Sequence, residues 1–127
     1  QPDMTDNEIT YKIIGCCYDV YNTLGPGLLE SVYEEALAYE LRQAGLDVKT
    51  QEAVPILYKG QRLHSTLQLD IMVNDAVIVE LKSVEELKGV YFKQLQTYLK
   101  LTGHKTGLLI NFNTDDLQKN GIRRIVM

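Results

Sequence analysis

Asp70 and, further along the chain, the triplet Glu80-Leu81-Lys82 put two carboxylates and one amine on what read as neighbouring strands of an otherwise apolar sheet. That combination suits holding a hard metal ion against a phosphate. Residues 76–81, Ala-Val-Ile-Val-Glu-Leu, are apolar on both sides of the pleat, as expected of a strand covered on both faces. Positions two apart in a strand share a face, so Ile78, Glu80 and Lys82 point one way and Val77, Val79 and Leu81 the other. The preceding strand, Leu67 to Val73, reads as Leu67, Leu69, Ile71 and Val73 on an apolar face, with Gln68, Asp70 and Met72 on the other. A two-residue turn at Asn74-Asp75 would pair 70 with 79 and send the acids to opposite faces. A three-residue loop, Asn74-Asp75-Ala76, instead pairs 73 with 77 and 70 with 80, and Asn or Asp can take the left-handed position such a loop needs.

In that register the two carboxylates have Cβ atoms roughly 5 Å apart and repel, so the pair calls for a cation or a raised pKa. Mg²⁺ or Mn²⁺ fits, because hard divalent ions take oxygen ligands, keep waters and use one or two carboxylates with substrate phosphate. Lys82 could orient or help deprotonate an attacking water, or stabilise charge developing on phosphorus. An arbitrary Glu-x-Lys is an ordinary surface ion pair; the apolar run and the upstream Asp set this one apart.

Asp70 followed by Glu80-Leu81-Lys82 resembles the signature of the PD-(D/E)XK nucleases, in which the acids bind metal and the lysine assists catalysis. Gly27-Leu28-Leu29-Glu30-Ser31-Val32-Tyr33 is similar to the Gly-x-x-Glu-x-x-Tyr string that names the bacterial GxxExxY proteins. Gln94-Leu95-Gln96-Thr97-Tyr98 resembles the Gln-x-x-x-Tyr motif of RecB-like members, and Gly107 to Phe112 resembles the family's next strand. The likeness runs from about Asn7 to Val126. Gln68 stands where relatives often carry Arg, and Tyr91 where His is frequent. The resemblance implies a restriction-endonuclease-like α/β fold, a Mg²⁺- or Mn²⁺-dependent deoxyribonuclease activity, and Glu30 as a helix-borne acid that completes or orients the metal site. By position alone, Glu30 reads rather as a first-turn carboxylate at the positive end of a helix, which needs no metal. Tyr33 is expected to pack with its hydroxyl on a site residue, and Glu34 to be solvated. Gln94 and Tyr98, four apart on a helix, project together toward the site mouth.

The elements that must position these groups are legible in the pattern. Thr5-x-x-Glu8 reads as a capping box opening a helix with Ile9, Ile13, Cys16 or Cys17, Val20 and Leu24 as its apolar stripe, ended by Gly25-Pro26-Gly27. A second helix is predicted from about Leu29 to Ala44, with Leu29, Val32, Tyr33, Ala36, Leu37 and Leu41 inward and Gly45 as its stop. Strands follow near 47–58, 62–73 and 76–82, then a helix near 89–101, a strand at 106–112 and a short one from Gly121 to Val126. The order α-α-β-β-β-α-β-β predicts a mixed central sheet flanked by helices.

The chain has 127 residues, 45% hydrophobic and 24% charged, enough for one domain spanning 1–127 and too few for two. Residues 1–4 are expected to be disordered or foreign to the natural chain. No run is long enough to cross a bilayer and no signal peptide is evident, so a cytoplasmic location is expected. Cys16 and Cys17, adjacent in a helix, read as packing residues, and the unpartnered His64 and His104 as surface residues. The net charge of −4 is uneven, being −8 up to residue 81 and +4 from Lys82 onward. Lys82, Lys88, Lys93, Lys100, Lys105, Lys119, Arg123 and Arg124 either gather into a phosphate-facing patch or are spread over a solvated face. The expected partner is a nucleic acid, DNA first, and a homodimer would let so small a domain cut both strands. The competing readings are a catalytically silent domain that binds nucleic acid or protein, and a structural ion site.

Overall fold

The computed structural model describes residues 3–127. Helix α1 (Asp6–Leu24) opens with the capping box: the Glu8 N–H donates to Thr5 Oγ1 at 3.1 Å and the Thr5 N–H to Glu8 Oε1 at 2.8 Å. Its stripe buries Ile9, Ile13, Cys16, Cys17 and Val20, both cysteines being free thiols, whereas Leu24 lies at the surface where the helix gives way to Gly25. Helix α2 (Glu30–Gln43) buries Tyr33, Leu37, Ala38 and Leu41. Leu29 and Val32, expected inward, are exposed, because Leu29 is the N-cap and Val32 lies on the flank turned away from the sheet.

Strands β1 (Val48–Tyr58), β2 (Gln61–Val73), β3 (Val77–Lys82), β4 (Thr106–Asn111) and β5 (Ile122–Val126) form one sheet in the order β1-β2-β3-β4-β5. All neighbours are antiparallel except β3 and β4, which are parallel and joined through helix α3 (Gly89–Thr102), the crossover that parallel strands require. The predicted element order and mixed α/β sheet are those observed. Helices α1 and α2 cover one face against Ile71, Val73, Val77, Val79, Leu81, Leu108, Ile110 and Phe112. Helix α3 covers the other, with Leu95 and Leu99 against Leu67, Leu69, Met72, Ile78 and Leu109. The continuous apolar run of β3 is thus accounted for, since it is buried on both faces.

Four local expectations need correction. The apolar face read along β2 is not continuous: Leu67 and Leu69 share the α3-side core with Met72, while Ile71 and Val73 lie on the α1/α2 side. The alternation breaks at Asp70, opposite Gln51, which is left-handed (φ 50°) and lies between the regular pairs Thr50↔Ile71 and Glu52↔Leu69. A π-helical turn, Leu117–Gly121, precedes β5, which starts at Ile122. Gly121 is needed there, because a Cβ would fall 2.5 Å from the Asn111 carbonyl oxygen. Met4, assigned no structure from sequence, packs against the α1/α2-side core, while Gln1 and Pro2 lie outside the described residues. His104 is half-buried rather than on the surface, with Nε2 3.0 Å from the Asp75 carbonyl oxygen. Among the described residues no helix is long and apolar enough to cross a membrane.

Candidate active site

Asp70 and Glu80 meet where β2 and β3 part. The turn between them is the three-residue loop, with Asn74 (φ 53°) and Asp75 (φ 50°) left-handed and the Ala76 N–H donating to the Val73 carbonyl at 3.0 Å. The ladder runs from Val73↔Val77 to Ile71↔Val79 and stops, although β3 stays paired with β4 as far as Lys82↔Asn111. One step beyond, side chains replace the backbone ladder. The Asp70 N–H donates to Glu80 Oε2 at 3.0 Å, and the Leu81 N–H donates to Asp70 Oδ2 at 2.9 Å. Each carboxylate thereby satisfies an amide of the opposite strand that the fork would otherwise orphan, which fixes both acids in one place.

That place is short of positive charge. Glu80 is only 5% exposed, and burial first, then the Asp70 charge, pushes its carboxyl pKa up to about 8 against the opposing pull of the Asp70 N–H and of Lys82. Burial also raises Glu34, which is partly offset by the Gln51 side-chain amide donating at 2.5 Å to Glu34 Oε1, while Asp70 raises it further. The Tyr98 phenol is raised by burial and then by Glu80 and Asp70. Lys82 is half-buried beside them, its ammonium 4.7 Å from the Tyr91 ring centroid. A cleft of about 310 Å³ opens on the α2 side, lined by Glu30, Ser31, Glu34, Gln51, Asp70 and Leu81.

The donors fit a hard divalent ion. They are all oxygens, and the amide bonds leave Glu80 Oε1 and Asp70 Oδ1, the latter touched by the Gln51 side-chain amide at 3.3 Å. Among the described residues no three His, Cys, Asp or Glu side chains form a ready-made cage, so the arrangement suits an ion that takes two carboxylates and completes its shell with water and substrate.

A family model described as the PD-(D/E)XK nuclease superfamily matches residues 7–125. The chain belongs to that superfamily. No curated protein and no solved structure matched it. Membership points to nuclease activity, and PD-(D/E)XK nucleases are generally dependent on a divalent metal.

Around the PD-(D/E)XK carboxylates, the remaining residues singled out from sequence fall into two groups. Glu30 is exposed at the start of α2, and its Oε2 accepts from the Ser83 N–H at 3.4 Å, one residue past Lys82. Tyr33 is fully buried and stacked on Phe112 at 4.6 Å. Its hydroxyl serves the chain turn rather than a site residue, donating to the Gly25 carbonyl at 2.6 Å and accepting from the Leu28 N–H at 3.1 Å. With Ser83 Oγ donating to the Leu28 carbonyl at 2.6 Å, Glu30, Tyr33 and Ser83 form a bracket tying the α1–α2 turn to the end of β3. On α3, Tyr91, Gln94 and Tyr98 share a face by their spacing; Tyr91 meets Lys82, Tyr98 feels both carboxylates, and Gln94 between them is exposed.

Two residues at the site were not found from sequence. Glu34, expected in solvent, is half-buried and faces Asp70 through Gln51; its signal was the spacing of four from Glu30 on a common helix face. Gln51 reaches both acids only because of its left-handed backbone, for which the sequence carries no sign. Gln68 donates from Nε2 to the Gln51 carbonyl at 2.8 Å.

Proposed function

We propose that this chain is a Mg²⁺- or Mn²⁺-dependent nuclease that hydrolyses phosphodiester bonds in DNA. The observation that carries the reading is the reciprocal hydrogen bonding of Asp70 and Glu80 across the strand fork, which holds two carboxylates together beside Lys82 with too little positive charge between them. Asp70 and Glu80 would hold the ion, and Glu34 would support it from α2. When bound, the ion supplies positive charge for a phosphoryl oxygen and lowers the pKa of a ligated water. Lys82 positions the attacking water or neutralises charge developing on the phosphate. Water adds to phosphorus and gives up a proton to bulk water, the bond to the leaving oxygen breaks, and that oxygen takes up a proton from bulk water in turn. Tyr91 keeps the Lys82 ammonium in place, and Tyr98 and Gln94 line the mouth where a sugar–phosphate backbone enters. Glu30 and Tyr33 act by holding the α1–α2 turn against Ser83, which supports the GxxExxY string as a positioning device and the assignment of the chain to that group. A cytoplasmic location accords with this role, and two copies acting together would cut both strands of a duplex.

The test is cleavage of labelled single- and double-stranded DNA during Mg²⁺ and Mn²⁺ titrations, with Glu80→Ala and Lys82→Ala as controls. Metal-dependent cleavage lost in both variants is the expected result; cleavage that survives both refutes the assignment. A second reading, a catalytically silent domain binding nucleic acid or a protein partner, draws on the lack of a three-acid cage among the described residues. Ion binding without hydrolysis of either DNA form would favour it.

A further inference from the structure

Past its last pairing with β3, the β1–β2 hairpin continues alone. The β2–β3 ladder ends at Ile71↔Val79, whereas β1 and β2 stay paired from Glu52↔Leu69 to Pro55↔Thr66 and, past a bulge that shifts the register, from Leu57↔Arg62 to Tyr58↔Gln61, leaving roughly 20 Å of two-stranded ribbon with no third strand. Val54 and Ile56 rest on the α3-side core and root it. Lys59 (φ 50°) and Gly60 (φ 79°) close the tip in a tight turn with both central residues left-handed. The tip is bare, with Leu57 65% and Tyr58 59% exposed, Arg62 and His64 also in solvent, and the Lys59 ammonium 5.4 Å from the Tyr58 ring centroid.

Charge selects the occupant. From Ala53 to Leu69 there is no Asp or Glu, in a chain with 17 acidic residues and a net charge of −4. A second copy docking arm to arm would set Lys59 and Arg62 against the same cations. A polyanion meets them favourably, and a two-stranded ribbon is an element that the major groove of a duplex admits. The root of the arm is also the site. Gln68 bonds to the Gln51 backbone, and Gln51 bonds to Asp70 and Glu34, so a duplex held by the arm passes the fork.

We propose that this hairpin is a duplex-DNA clamp in which Lys59 and Arg62 engage phosphates while Tyr58 and Leu57 pack against the groove wall. The inference rests on the nuclease reading for its purpose and extends it by naming the surface that holds the substrate; its test is independent of cleavage. Binding of a fluorescent duplex of about 20 base pairs is followed by anisotropy in EDTA across a salt series, for the wild type and for Tyr58→Thr/Lys59→Asn/Arg62→Gln. Asn at the left-handed position keeps the turn and Thr keeps the strand, and a melting curve checks the fold. The expected result is about tenfold or more weaker binding, with a log–log salt slope shallower by about 1.8 for the two lost phosphate contacts. Adding a cation with Ser65→Lys should tighten binding and steepen the slope by about 0.9. Unchanged affinity and slope in the triple variant, or no duplex binding by the wild type, overturns the clamp. So does a wild-type dimer that the triple variant dissociates while its DNA affinity stays the same. Arm-dependent binding with no metal-dependent cleavage would refute the nuclease reading and leave the clamp standing.

Discussion

Glu80 shows at the scale of one residue how the fold stores a demand for a cation. Its folded pKa of about 8 lies above the ordinary value of 4.5, so between those limits the folded protein holds a proton that the unfolded chain has released. Stability from this group is therefore fully present below about pH 4.5 and is lost as pH rises through about 8. The metal-free protein should melt at progressively lower temperature from pH 5 to pH 8, and Glu80→Gln, neutral throughout, should flatten that decline; a scanning calorimeter reads both. Lys82→Ala makes the complementary kinetic point. It should lower kcat about 100-fold or more with little change in KM, since its contribution falls on the reacting phosphate rather than on remote binding. The types and spacing of Asp70, Glu80 and Lys82 made these roles readable from the sequence. Glu34 and Gln51 were not readable, because their approach to Asp70 depends on a left-handed residue in mid-strand that no local pattern announces.

At the scale of elements, the α1–α2 turn and the end of β3 are held as one piece by the Glu30–Tyr33–Ser83 bracket. Tyr33→Phe keeps the stacking on Phe112 but strips the Gly25 carbonyl and the Leu28 N–H of their partner, and should cost about 1–3 kcal/mol in urea unfolding. If the bracket positions Lys82, this variant also loses turnover at temperatures where it is fully folded, whereas a purely structural role leaves turnover unchanged there. Element order was legible throughout, since the capping box at Thr5, the left-handed glycines at 45 and 103 and the two-sided apolar run of β3 each act locally. The face switch at Asp70 was not legible: strict alternation through Leu67, Leu69, Ile71 and Val73 hides an irregularity that coincides with left-handed Gln51 on the opposite strand. That irregularity lies where β2 leaves β3 and where the carboxylates replace the ladder.

At the scale of the molecule, the two faces of the sheet converge on the fork, α2 bringing Glu34 to one side and α3 bringing Tyr98 and Tyr91 to the other. A bound divalent ion links this local charge balance to global stability. Mn²⁺ at about 100 times its Kd should stabilise the fold by about 2.7 kcal/mol, and at one fixed Mn²⁺ concentration the rise in melting temperature should be greater at pH 8 than at pH 6, because less proton must be displaced and the Kd is lower. The central claim is that Asp70 and Glu80 jointly hold that ion, and the most direct measurement is calorimetric titration of Mn²⁺ at pH 7 in two buffers of different ionisation enthalpy. One ion per chain is expected, with proton release on binding because Glu80 is raised in the metal-free fold, and with loss of binding in both Asp70→Asn and Glu80→Gln. An ion bound with unchanged affinity by those two variants would contradict it.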